Sequence, residues 1–76
     1  MLLEETGRSF SEHVLEKRLE RAAALLRDRR QYDRKVSAIA FACGFGDLSY
    51  FNRVFRRRYG ETPTDMRETA RRQNRD

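Results

Sequence analysis

The chain has little to offer covalent or metal chemistry. Its 76 residues contain one cysteine, Cys43, so an intrachain disulfide and a cysteine-cluster metal site are both excluded. The one histidine, His13, sits in a polar stretch, and spacing assigns no nucleophile, base and orienter from the remaining side chains. No apolar run approaches the ~18 residues that cross a membrane. Glu4 and Glu5 stand where a signal peptide would be basic and then apolar. These absences predict a cytoplasmic, non-enzymatic protein with no cofactor, no metal and no membrane partner. Tryptophan is missing, proline occurs once (Pro63) and glycine four times, so the few chain-breaking residues carry positional meaning.

Positive charge is plentiful. Seventeen basic residues stand against 12 acidic ones, giving a net charge of +5 and a pI near 10.1. Such a balance favours an anionic partner. Glu4, Glu5, Glu12, Glu16 and Glu20 fall early, whereas Arg53, Arg56, Arg57, Arg58, Arg67, Arg71, Arg72 and Arg75 crowd the last third, so the charge that meets such a partner is expected in the C-terminal half. Lys17 and Lys35 are the only lysines. Arginine's planar fork suits phosphate and guanine, although a GC-rich genome would also enrich it.

Val36, Ile39, Ala40 and Cys43 recur at i, i+3, i+4 and i+7, the spacing of one helical face. On that face Cys43 reads as a buried hydrophobe. Gly44 can end this helix in the left-handed conformation, Phe45 can drop into a core, and Asp47 is a suitable N-cap for a helix from Leu48. At roughly 100° per residue Leu48, Phe51, Val54, Phe55 and Tyr59 gather on one side of that helix; Ser49, Asn52, Arg53, Arg56 and Arg57 gather on the other. Hydroxyl, amide and guanidinium groups near a helix start suit base edges in a DNA groove. Arginines further along suit phosphates, which fix register.

The stretch VSAIAFACGFGDLSYFNRVFRRRYGETPTDMR resembles the second helix-turn-helix of the AraC/XylS family of bacterial transcription regulators. Val36, Ile39, Ala40, Gly44, Phe45, Asp47, Ser49, Phe51, Arg53, Phe55, Arg56, Gly60, Thr62, Pro63 and Arg67 match the family pattern. The resemblance implies sequence-specific binding of double-stranded DNA, with the 48–59 helix in the major groove. It implies base contacts from Ser49, Asn52 and Arg53, and backbone contacts from Tyr50, Arg56 and Arg57. Leu48 departs from the family's frequent polar residue, so its contact would be apolar, to a thymine methyl. Lys35 replaces a common capping residue and blurs the start of the 36–43 helix.

SFSEHVLEKRLERAAALLRD resembles the helix that joins the two helix-turn-helix units of this family, and MLLEETGRSF the end of the first unit's recognition helix. Leu2, Gly7 and Ser9 repeat the spacing of Phe55, Gly60 and Thr62, an internal echo of two copies of one unit. The expected organisation is a remnant of the first unit over 1–10, a joining helix over 11–30 with stripe Val14, Leu15, Leu19, Ala22, Leu25 and Leu26, a second unit over 36–70 and a fraying basic tail over 71–76. Within the second unit, Thr62 is the expected cap and Pro63 the first residue of a last helix.

The fold class is all-α, a three-helical homeodomain-like unit behind a long helix. With most of the first reader missing, a second reading is a truncated interaction module with little DNA affinity. It would form a homodimer through the N-terminal segment and joining helix.

Overall fold

The computed structural model describes residues 10–73, whose regular structure is entirely helical: α1 (Phe10–Arg27), α2 (Val36–Ala42), α3 (Leu48–Tyr59) and α4 (Pro63–Gln73), with a single 3-10 turn at Arg29–Gln31. The expected remnant over residues 1–10 lies, apart from Phe10, outside the described residues, as do the echo around Gly7 and the dimer contact through the N-terminal segment.

α1 ends at Arg27, short of the end at residue 30 expected for the joining helix. The reason is local: Asp28 adopts an extended backbone and its carboxylate accepts from the Arg30 amide at 3.0 Å, capping the 3-10 turn instead of continuing the helix. Arg30 closes on the same carboxylate through Nε at 3.1 Å and Nη2 at 3.0 Å. At the other end of the chain α4 runs through Gln73, so Arg71 and Arg72 are helical where their composition suggests fraying.

α2 begins at Val36. Lys35 precedes it in an extended conformation and makes no side-chain cap, so the capping loss does not move the start. The far end is a full Schellman closure: Phe45 N–H donates to Ala40 C=O at 3.0 Å, Gly44 N–H to Phe41 C=O at 3.1 Å, and Gly44 takes φ +99°. Phe45 is thereby turned inward, 4% exposed. Three residues on, α3 starts as the sequence indicates, with the Asp47 carboxylate accepting from Tyr50 N–H at 3.2 Å. It ends on Gly60 at φ 78°, whose N–H donates to Arg56 C=O at 2.7 Å. Thr62 then caps α4 by accepting from Asp65 N–H at 3.0 Å, and Pro63 is its first residue.

Leu19, Ala22, Ala23 and Leu26 of α1, Ile39 and Ala40 of α2, Cys43 and Phe45 of the turn, Phe51, Val54 and Phe55 of α3 and Met66 of α4 form one core. Phe51, Phe55, Leu26 and Ile39 are fully buried, each stabilising the fold by about 1.5–3 kcal/mol. An aromatic row runs through the core, Phe45 to Phe51 at 4.8 Å, Phe51 to Phe55 at 5.5 Å and Phe55 to Tyr59 at 4.7 Å between ring centroids. Val14, Leu15 and Leu25 of the expected stripe are only half-buried. Arg67 Nη1 donates to Arg34 C=O, tying α4 to the connection before α2.

Candidate nucleic-acid interface

Because Phe51, Val54 and Phe55 fix one side of α3 in the core, the opposite side must face outward. Ser49, Asn52, Arg53, Arg56 and Arg57 are all exposed there. Among the described residues none of these three arginines has a carboxylate within ion-pair distance. Their charge is therefore open to an external anion. Asn52, Arg53, Arg56 and Arg57 also line a groove against Thr62, Pro63 and Thr64 at the start of α4.

Tyr50 and Leu48 flank this face, 39% and 36% exposed. Helical spacing puts Leu48 on the apolar side of α3 as well as near a base; in the structure it is exposed and stands outside the core. The Arg53 guanidinium stands 5.6 Å from the centre of the Tyr50 ring, a cation–π contact that steadies a flexible side chain over the surface.

The crowd of C-terminal arginines divides in the structure. Arg58 turns away from the exposed face and makes a two-pronged pair with Glu16 of α1, Nε to Oε2 at 2.9 Å and Nη2 to Oε2 at 2.8 Å, with Nε also 3.0 Å from Oε1. Arg67 is occupied by the Arg34 carbonyl, and Arg71 lies 5.6 Å from the Tyr32 ring centre. Each of these three contacts another element of the chain. Charge counting does not separate them from Arg53, Arg56 and Arg57, although the helical angle of Arg58, beside Val54 and Phe51, carries the signal.

Cys43 is buried, and desolvation pushes its thiol up while Arg21 and Arg34 oppose the shift weakly. A thiol held protonated in an apolar site behaves as a small hydrophobe. No group of His, Cys, Asp and Glu among the described residues is arranged to hold a metal ion, and no described helix is long and apolar enough to cross a membrane.

A short helix, a glycine closure and a capped second helix with one buried aromatic side and one open cationic side define a helix-turn-helix domain. The family description "Helix-turn-helix domain" matches residues 1–69, and the chain belongs to the AraC/XylS-type helix-turn-helix family of transcription regulators. It is 47% identical over 64 residues to the transcriptional activator RhrA of Rhizobium meliloti (strain 1021), covering 84% of this chain and 20% of RhrA. It is 42% identical over 67 residues to the uncharacterized HTH-type transcriptional regulator YijO of Escherichia coli (strain K12), 87% of this chain and 23% of YijO. With the HTH-type transcriptional activator RhaS of Klebsiella pneumoniae (strain 342) it shares 39% identity over 67 residues, 88% of this chain and 23% of RhaS. The chain thus spans between 20% and 23% of the length of these relatives. No solved structure matches it.

Proposed function

We propose that this chain binds double-stranded DNA with α3 in the major groove and α1 as a spacer helix. Ser49, Asn52 and Arg53 read base edges, Leu48 meets a thymine methyl, and Tyr50, Arg56 and Arg57 engage phosphates. The observation that carries the reading is the row of exposed polar and cationic side chains, with no carboxylate partner among the described residues, on the side of α3 opposite its buried Phe51 and Phe55. A side chain's position along the helix separates the roles. Ser49, Asn52 and Arg53, in the first two turns, reach base edges; Arg56 and Arg57 beyond them reach the backbone, and Tyr50 does so from the edge of the face.

The experiment is a duplex titration at several salt concentrations. Each phosphate contact adds about −0.9 to the slope of log K against log salt. A clear negative slope is expected, reduced by about that amount in Arg56→Ala and again in Arg57→Ala. Salt-independent affinity, or no binding at low salt, overturns the proposal.

A further inference from the structure

Arg58 lies on α3 but points away from the groups that face outward. Ser49 and Arg58 are nine residues apart, about two and a half turns at roughly 100° per residue, so the two side chains leave the helix in opposite directions. What grips Arg58 therefore adds a constraint on the roll of α3 to the one that its buried Phe51, Val54 and Phe55 impose, and so bears on the aim of Ser49, Asn52 and Arg53.

Two features make the grip specific. The Glu16 carboxylate takes the Arg58 guanidinium through two nitrogens across 42 residues of sequence, and a two-pronged pair fixes direction as well as distance. The Arg58 guanidinium also lies 4.8 Å from the centre of the Tyr59 ring, which is itself 4.7 Å from Phe55 in the core. Val54 and the half-buried Leu15 border the same groove between α1 and α3 as the pair does. Apolar burial of that kind is non-directional, whereas the paired charges have a preferred direction. A roll of about 20° moves a group on the helix surface by roughly 2 Å, beyond the tolerance of a hydrogen bond to a base edge.

We infer that Glu16 and Arg58 are positioning residues for DNA reading, locking the roll of α3 against α1 so that its exposed face meets the bases in one register. This role rests on the proposed DNA binding and belongs to residues that touch no DNA.

The full chain first selects duplexes from a randomised pool. The affinity ratio between a selected duplex and its scrambled counterpart is then measured for wild type, Glu16→Gln, Arg58→Lys, Arg58→Ala and the swapped pair Glu16→Arg with Arg58→Glu, all below their melting temperatures. Glu16→Gln is decisive because it makes the chain more positive. If the pair acts only through overall charge, this variant binds every duplex more tightly with the ratio unchanged. Positioning predicts equal or tighter binding to the scrambled duplex together with a ratio that falls roughly 2- to 30-fold. Arg58→Ala is expected to lose the ratio similarly, with Arg58→Lys and the swapped pair recovering part of it. Folded variants that keep the wild-type ratio overturn the inference and leave the DNA-binding reading standing. A wild-type chain that enriches no sequence removes that reading and the inference together.

Discussion

A Cβ on Gly44 would stand 2.9 Å from Nε of Arg18, and Gly44 holds φ at +99°, so the turn between α2 and α3 meets the side of α1 where only a hydrogen fits without adjustment. Arg18 is exposed and flexible and can move aside. The backbone angle cannot. Gly44→Ala is therefore expected to destabilise the chain by about 1–2 kcal/mol, the cost of a left-handed non-glycine residue, and removing Arg18 as well restores little of it. Gly46, without a positive φ and with no atom within 4 Å of where its Cβ would stand, is the control. Gly46→Ala should leave a urea midpoint nearly unchanged, and equal losses at both glycines would contradict this account of the turn.

Phe55 is fully buried, with Phe51 at 5.5 Å and Tyr59 at 4.7 Å between ring centroids. Phe55→Ala removes the middle of that row and is expected to cost ~3–5 kcal/mol. A domain this small has little stability in reserve, so a circular-dichroism melt should show a largely unfolded chain. An unchanged melt would mean that the faces of α3 are assigned the wrong way round.

Arg53 and Arg57 occupy the same exposed side at different heights, and their loss is expected to read out differently. Arg53→Ala relaxes preference at one base pair by ~1–3 kcal/mol; Arg57→Ala weakens all duplexes about equally. Affinities on a selected and a scrambled duplex check this. A uniform loss for Arg53 with a selective one for Arg57 would reverse the assignment.

The helix ends are legible in the sequence because their chemistry is local. Asp47, Gly44, Thr62 and Pro63 each act within four residues, and each does in the structure what its type and position suggest. The outward side of α3 is legible for a similar reason, since the 3.6-residue period is a property of one segment. What pattern reading misses depends on partners distant in sequence. Arg58 and Arg67 look like two more members of a cationic crowd, yet Glu16 and the Arg34 carbonyl claim them across 42 and 33 residues. The early end of α1 escapes notice because Asp28 reads as an ordinary charged residue until its carboxylate is seen closing on Arg30.

Alkaline conditions test the buried thiol and phenol. Desolvation raises both Cys43 and Tyr59 above their ordinary values. In the unfolded chain these groups lose their protons first, so the unfolded state binds fewer protons and gains stability as pH rises. Full stability is expected below about pH 8.5, the ordinary thiol value, declining as pH climbs through the raised values. The melting temperature measured across this range should fall, and fall less steeply in Cys43→Ala and Tyr59→Phe. An alkaline slope that neither variant alters would contradict the burial described for both groups.

The central claim, that α3 reads DNA from the major groove, is tested most directly by methylation interference on a selected duplex. Methyl groups on guanine N7 lie in the major groove, and those on adenine N3 lie in the minor groove. With α3 in the major groove, N7 methylation within the bound segment blocks binding by the wild-type chain. Arg53→Ala then loses sensitivity at one guanine, while adenine N3 methylation has little effect on either protein. Binding that ignores N7 methylation and is blocked from the minor groove would contradict the claim.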